Sequence, residues 1–573
     1  MPHSADQKSL TSRSFLGLLA TQFLGAINDN MFRWLVVPIG KHAVDSEQAA
    51  IALSLGLASF VVPYLLLASV AGYLADRYSK RTIIVSCKIA EVVIMGLGIL
   101  SILSGNLYVM LSVVALMGAQ SALFAPSKFG SIPEIVHTDR VAAANGLIGM
   151  TTVVAIVIGT ILGNLLFVVT TLTGDDGELH KPAGQHQLWI SAASLLGVAL
   201  LGLLASLSIA RLPVADASRK FPYRFLRQTF RDLKSLGARR ALLRASLGCA
   251  VFWTLAAVAQ MNVDLFAITE LRVDQFHVGI LLAVLSVGVG SGSVLAGIWS
   301  SQRIELGLVP LGAAGITISG LLLFLAPDIG DEMSVTPRYV CACFALFFLG
   351  ASAGLYNIPI LAFLQNHAPA ESRGSILAAN NFLQNCGMLM AALLFWVATE
   401  IAALEAGEIF LALGIVTIPV FIYVVWLLPG ATARVLVFLV SKLFYRVRVN
   451  GKENVPEKGG VLLVSNHVSF IDGVLLLLYF PRDPRLIARA DPSHGRFYRR
   501  LAKDLGTIFI EPGKQSLIES LDIASQALKD GEVVCIFPEG KMTETGDVNE
   551  FRRGFLRIKE GTSAPVVPIH LDG

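Results

Sequence analysis

The segment Asn466-His467-Val468-Ser469-Phe470-Ile471-Asp472 sets a histidine and a carboxylate five residues apart, directly after the apolar run Val461 to Ser465. That run reads as a strand ending at the histidine, with Asp472 opening the next helix. A turn between the two brings together side chains that a continuous helix would hold apart. The pairing suits general-base chemistry on a hydroxyl: His467 takes the proton, and Asp472 holds the imidazole tautomer and supports its charged form. No serine or cysteine nucleophile is needed, because the hydroxyl itself attacks an activated carbonyl.

A second polar group lies where it is costly. Asn28-Asp29-Asn30 and Arg33 fall inside an apolar stretch, residues 14–40, where a charge costs about 2.5 to 3.5 kcal/mol on insertion scales. Asp29 therefore faces an internal cavity with Asn30 and Arg33, or it forms an ion pair that locks helices together. Gln22, Lys88, Glu91, Gln120, Lys128, Asn262, Asp264, Asn357, Asn380 and Gln384 are further polar residues in apolar runs. Most of them satisfy one another and a few meet substrate, with Gln120 and Lys128 expected among the latter.

Composition says what must position these groups. Of 573 residues, 54% are hydrophobic and 15% charged, with a mean hydropathy of +0.67, whereas soluble domains carry about 25% charged residues. Most of the chain lies in lipid, and a net charge of +4 gives no reason to expect nucleic acid. The six cysteines sit in apolar segments without metal-site or disulfide spacing, so no metal is expected. Runs of spanning length fall near residues 14–40, 50–74, 82–103, 107–127, 142–170, 188–210, 241–268, 277–299, 306–326, 339–364, 374–399 and 407–429. Basic residues gather in alternate loops: Arg77, Lys80 and Arg81; Lys128 and Arg140; the middle loop from Arg219 to Arg240; Arg303; Arg373. The other loops are acidic or neutral, with Asp175, Asp176 and Glu178, then Asp328, Asp331 and Glu332, then Glu405 and Glu408. An even helix count and the positive-inside rule place both termini in the cytoplasm.

Internal echoes divide the spans into two halves. Gly118 to Phe124 returns as Gly350 to Tyr356, Ala143-Ala144-Asn145 as Ala378-Ala379-Asn380, and Ala71-Gly72 as Ala296-Gly297. The run Gly72-Tyr73-Leu74-Ala75-Asp76-Arg77-Tyr78-Ser79-Lys80-Arg81 resembles the signature loop of the major facilitator superfamily, in which an acid among bases latches one state. The resemblance implies a mainly α membrane protein with a twelve-helix major facilitator fold over residues 1–429, and gives Asp76 and Arg77 a role in transport. Residues 21–30 (TQFLGAINDN) and 118–130 (GAQSALFAPSKFG) resemble the bacterial lysophospholipid transporter family more narrowly. That implies a flippase importing lysophosphatidylethanolamine or lysophosphatidylglycerol across the inner membrane.

Residues 430–450 carry Arg434, Lys442, Arg446 and Arg448 among Val, Leu and Phe. They read as an interfacial amphipathic linker touching membrane lipids, or as a helical linker without lipid contact. From Gly459 on, the short runs Val461 to Ser465, Thr507 to Ile510, Val533 to Phe537 and Val566 to His570 alternate with helical stretches, an α/β pattern. After the histidine motif come Gly506 to Ile510, Phe537-Pro538-Glu539-Gly540-Lys541 and Val566-Val567-Pro568-Ile569. In this order the blocks resemble the glycerolipid acyltransferase family. The resemblance implies a C-terminal α/β acyltransferase domain over residues 451–573, in which Glu539 joins His467 and Asp472 as catalytic. It also implies that Asn466, Ser469, Gly540 and Lys541 bind substrate, and that an acyl thioester of acyl carrier protein or coenzyme A is the donor, with no bound cofactor.

Two departures bear on the acceptor. Glu511 is followed by Pro512 where the family has arginine, and Lys541 replaces an arginine, meeting phosphate as a point charge and not bidentately. A lysophospholipid phosphodiester suits such a site better than lysophosphatidate. NHVSFIDG and FPEGKMTETG are similar to 2-acylglycerophosphoethanolamine acyltransferase, which usually continues into an adenylating acyl carrier protein synthetase domain. Here that domain is expected beyond Gly573 or on another polypeptide. The alternative for the whole region is a noncatalytic domain that tethers a partner.

Overall fold

Long apolar runs in lipid have no water to satisfy their backbone and so close their hydrogen bonds within helices. The computed structural model describes residues 8–42, 59–171, 187–300, 304–329, 335–444, 446–456, 458–469, 471–480, 482–489, 502–510, 514–543 and 547–572. Asp175, Asp176, Glu178, Arg303, Asp331, Glu332, Glu511 and Pro512 lie outside them. The chain divides into two compact units, residues 1–422 and 423–573.

The first unit is helical: α1 (Arg13–His42), α2 (Ser59–Leu66), α3 (Ala68–Arg77), α4 (Lys80–Ser104), α5 (Leu107–Ile135), α6 (Val141–Thr170) and α7 (Leu188–Leu207). After α8 (Phe225–Ala238) follow α9 (Arg240–Thr269), α10 (Gln275–Trp299), α11 (Leu308–Leu325), α12 (Val335–His367), α13 (Arg373–Trp396) and α14 (Ala406–Leu427). Among the described residues ten helices are long and apolar enough to cross a membrane, and α2 with α3, bent by 57° at Leu67, brings the number to eleven. The twelfth is α1, whose 30 residues span about 45 Å at 1.5 Å per residue and whose apolarity is diluted by the polar cluster from Asn28 to Arg33. Its Met31, Phe32 and Leu35 are buried against Met95, Val114 and Leu195 of α4, α5 and α7.

Two boundaries differ from the sequence expectation. α5 continues eight residues past 127 to Ile135, because Lys128 donates from Nζ to Gln22 Oε1 at 3.1 Å and lies 4.5 Å from the Phe129 ring centroid. The middle loop, read from its charges alone, contains the amphipathic helix α8, which turns Thr229 and Leu236 inward.

The sequence echoes meet across the halves. A methyl group on Gly72 of α3 would stand 2.9 Å from Cα of Ser375 and 3.1 Å from Cβ of Ala378 on α13. Its counterpart Gly297 of α10 would place one 2.8 Å from Cα of Ala143 on α6. Each repeat's glycine thus seats the other repeat's alanine pair, and a side chain at either would part the backbones. Asn145 and Gln365 add a reciprocal amide bridge of 2.7 and 3.0 Å between α6 and α12.

Around Gly72 the contact is also ionic. Asp76 is fully buried and caps α13: Oδ1 accepts from Gly374 N at 2.7 Å, and Oδ2 from Ser375 N at 3.1 Å and Ser375 Oγ at 2.7 Å. A carboxylate there meets the positive end of the helix. Arg219 Nη1 donates to both Asp76 Oδ2 and Ser375 Oγ. Lys80 pairs with Glu134 at 2.6 Å, and Arg373 reaches the same oxygen at 3.5 Å.

The second unit opens on the end of α14 and on α15 (Pro429–Phe444). Within this unit Ser441 Oγ lies 2.9 Å from Tyr479 Oη, while Leu436, Val440 and Phe444 are exposed, the face expected of an interfacial helix. A five-stranded parallel sheet follows in the order β3-β2-β4-β1-β5, built from β1 (Val461–Ser465), β2 (Pro484–Arg489), β3 (Ile508–Ile510), β4 (Val533–Ile536) and β5 (Val566–Ile569). Continuous apolar runs are what a parallel sheet covered on both faces requires. Leu462, Val464, Val534 and Ile536 face α17 (Lys514–Lys529) and α18 (Gly554–Lys559), while Val461, Leu463 and Cys535 face Leu476 of α16 (Asp472–Tyr479). β2 was not anticipated, since its arginines and flanking prolines hide the alternation.

The glycine contact and the Asp76 cap give a first expectation. A cysteine replacing Ala378, which is 2% exposed, should react slowly with an alkylating reagent. Asp76→Asn should speed that reaction by about tenfold, since hydrogen bonds to a charged group contribute about 1.5 to 3 kcal/mol each. An unchanged rate would show that Asp76 does not hold the halves together.

Candidate active site and transport cavity

The catalytic candidates meet because β1 and β4 are neighbours in register. Val464 pairs with Ile536, and three residues beyond each partner stand His467 and Glu539, at the carboxyl ends of parallel strands where open α/β sheets place their sites. His467 Nδ1 lies 3.0 Å from Asp472 Oδ2, and the same oxygen accepts from Val468 N at 2.6 Å and Ser469 N at 2.7 Å. Asp472 is 4% exposed and only accepts when ionised, so the ring proton sits on Nδ1. The Nε2 lone pair has no partner among the described residues. Phe537 stacks on the imidazole at 4.3 Å between centroids and fixes its plane.

Glu539 takes a different place from the one its motif suggests. It is buried, its Oε1 accepts from the backbone N of His467 at 2.8 Å, and its Oε2 accepts from Asn549 N and Nδ2, both at 2.9 Å. Burial pushes this carboxyl up, but the donors from Asn549 and His467 outweigh burial and hold it below the usual range. Both of its oxygens are thus engaged by protein donors, and it is placed as a brace for the histidine loop.

Asn466 is likewise a clasp. Its Nδ2 donates to Leu571 O at 2.9 Å and its Oδ1 accepts from Leu571 N at 2.7 Å, which carries the β1–β5 pairing one step further. Both ends of the amide are engaged, so the expected substrate contact is not the use the fold makes of it. Ser469 Oγ accepts from Ile471 N at 3.4 Å within the tight turn. Gly540, exposed at φ +71°, and the exposed Lys541 border the open side.

Two residues of this site escaped the sequence reading. Besides Asn549, Arg552 folds over the turn: its N donates to Pro538 O at 2.9 Å, and a methyl on Gly540 would lie 3.1 Å from its Nε. The guanidinium is exposed and forms no ion pair with an acid among the described residues. It offers a bidentate phosphate donor beside Lys541. The signal was the pair Arg552-Arg553 before Gly554, six residues past the FPEGKMTETG block that ends at Gly546.

In the first unit, a cavity of about 590 Å³ lies between the halves. Arg33, Tyr64 and Lys128 line it from one half and Asn357, Gln384 and Asn385 from the other, among Phe252, Trp253 and Met388. Among the described residues no carboxylate lines its wall, though Asp29 lies within electrostatic reach of Arg33 and Lys128. Asn357 Oδ1 is buried without a protein partner among the described residues. Of the residues expected to carry transport, Arg33 and Lys128 reach this cavity, whereas Asp29, Asn30 and Gln120 do not line it. Asp29 Oδ2 accepts from Ser121 Oγ at 3.1 Å, Asn30 Nδ2 bonds Ala26 O in its own helix at 2.8 Å, and Gln120 Nε2 ties α5 to Cys87 O of α4 at 3.1 Å. Lys88, Glu91 and Asn28 form a buried cluster with 2.6 and 3.1 Å contacts, in which Asn28 Oδ1 is left without a partner among the described residues. Asp76 belongs to the contact between the halves, and Arg77 ends α3.

The sequence profile of the Major Facilitator Superfamily matches residues 18–392, and that of the Acyltransferase family matches residues 446–572. The chain belongs to the major facilitator superfamily and carries an acyltransferase domain; it is a multi-pass membrane protein. It is similar to the lysophospholipid transporter LplT of Cronobacter sakazakii, at 25% identity over 71% of this chain and 94% of that protein. To LplT of Serratia proteamaculans the identity is 24%, over 68% and 90%. In fold, the Escherichia coli fucose:proton symporter FucP overlays 72% of this chain and 98% of its own with a TM-score of 0.57 at 14% identity. The human organic anion transporter MFSD10 gives 0.57 at 13% identity, covering 72% and 99%.

The site separates a base from its brace. His467→Ala should lower acyl transfer by at least about a hundredfold, the usual contribution of a positioned base. Asn549→Ala, which removes one side-chain bond to Glu539, should cost about tenfold in kcat and leave KM for the acyl donor nearly unchanged. Equal losses in the two variants would mean that Glu539 and Asn549 act directly on substrate.

Proposed function

We propose that this protein brings lysophospholipid, such as lysophosphatidylethanolamine or lysophosphatidylglycerol, to the cytoplasmic leaflet of a bacterial inner membrane and reacylates it there. The observation that carries the reading is the make-up of the cavity. Arg33 and Lys128, both within electrostatic reach of Asp29 behind the wall, stand with several amides among aromatic and aliphatic walls, a polar end within an apolar cavity that suits a phosphate headgroup joined to an acyl chain. The named relatives, lysophospholipid transporters, support the same cargo. The basic alternate loops support a cytoplasmic placement of both termini and of the acyltransferase domain.

Acylation then follows from the His467–Asp472 pair. Nε2 takes the proton of the lysolipid hydroxyl as its oxygen attacks the thioester carbonyl, and Asp472 stabilises the imidazolium. The tetrahedral intermediate collapses with cleavage of the carbon–sulfur bond. The imidazolium returns its proton to the departing thiolate, leaving an ester and a free thiol. Acyl carrier protein or coenzyme A supplies the thioester, and an acyl carrier protein synthetase domain or subunit would charge the former. A phosphodiester acceptor fits Lys541 and Arg552 together with Pro512 in place of the family's arginine.

Paired assays on one preparation test the two activities. Lys128→Gln should slow lysophospholipid uptake into proteoliposomes by about tenfold or more while acylation of detergent-dispersed lysolipid stays near normal. His467→Ala should do the reverse, each variant being matched for melting temperature. Loss of both activities in both folded variants would overturn the separation. In competition at equal concentration, lysophosphatidylethanolamine should be acylated ahead of lysophosphatidate, and the opposite preference would remove the phosphodiester assignment.

A further inference from the structure

We propose that the segment from Lys220 to Lys234 binds the phosphate headgroups of anionic lipids, forming a regulatory lipid site apart from the transport cavity. A cavity of about 360 Å³ opens here, lined by Lys220, Tyr223, Arg224, Arg227, Gln228 and Arg231 together with Phe221 and Pro222. Four cations line it and, among the described residues, no carboxylate does. None of the four forms an ion pair with an acid among the described residues. The acid on α8, Asp232, does not line the cavity and is engaged by other groups: it accepts from Gln228 at 2.9 Å and lies 3.7 Å from Arg219. An unneutralised cluster of this kind keeps a strong positive potential and draws phosphate.

The occupant is a lipid and not a soluble phosphate because apolar surface flanks the charges. Tyr223 is 87%, Phe230 68% and Leu226 52% exposed. Leu226 and Phe230 stand one helical turn apart beside Arg227, Arg231 and Lys234, the arrangement of a helix lying in a headgroup layer. The opposite side is fastened to the transporter, with Ser69 Oγ donating to Phe225 O at 2.9 Å and Leu236 fully buried. Lys220 is also the direct neighbour of Arg219, which grips Asp76 and Ser375. A headgroup held in this cavity steadies the loop that holds the halves together. The surface that supplies the lipid is the leaflet on the basic-loop side, as the orientation above has it.

Amide hydrogen exchange of the full chain in nanodiscs tests the site without relying on transport or acylation. Exchange over residues 220–234 should slow about tenfold when phosphatidylglycerol is added to phosphatidylcholine discs, a modest share of the roughly fivefold attraction per basic residue at an anionic surface. Residues 514–529 serve as a reference and should not change. R227E/R231E should abolish the protection, and F230S should weaken it, while both keep the parent's melting temperature; these side chains are exposed. Inorganic phosphate added to phosphatidylcholine discs should not reproduce it. Equal exchange in the two discs, protection that survives charge reversal, or full protection by inorganic phosphate would each overturn the proposal.

Discussion

A carboxylate withdrawn from water must be met by donors, and in this chain the donors come from distant parts of the sequence. Asp76 is fully buried, and its two oxygens accept from Gly374 and Ser375, almost three hundred residues away, and from Arg219 in the middle loop. Removing one partner would leave a charge whose burial costs several kcal/mol. The contact of α3 with α13 therefore forms with its full set of donors or gives way as a unit, which is the behaviour a transporter needs between alternating states. The middle loop enters the same account, because Arg219 supplies one of those donors.

The acyltransferase unit repeats the principle on a smaller scale. Asp472 gathers the His467 ring and two backbone N–H groups on one oxygen, and Glu539 joins His467 to Asn549. Both are nearly excluded from solvent. The histidine is held from two directions by acceptors that cannot easily be satisfied otherwise. Its Nε2 remains available, so rigidity is concentrated on the side away from the substrate.

How much of this was legible depended on whether the determinant was local. His467 with Asp472 could be read because strand, turn and helix start lie within twelve residues. The roles of Glu539 and Asn466 could not, because they follow from β1 lying between β4 and β5, and sheet order is not written in any one segment. Asp29 drew attention as a charge in an apolar run, yet the chain meets it with Ser121 and lines the cavity with Arg33 and Lys128 instead. Cost of burial identifies a residue that needs a partner, and that partner can be protein as well as substrate. α8 was hidden by its own arginines, which invited a reading of loop charge over helical period. The twelve spans and the division into halves were plain, since hydropathy and repetition are properties of the sequence itself.

The crosswise seating of Gly72 on Ser375 and Ala378, and of Gly297 on Ala143, binds the histories of the two repeats. Neither half can enlarge its glycine, or thicken its alanine pair, unless the other half yields space at the matching place. Substitutions at these positions are then tolerated in complementary sets, and the halves must drift as partners. A chimera joining the first half of this protein to the second half of a distant relative would inherit two mismatched seams at once, and restoring one of them would leave the other open.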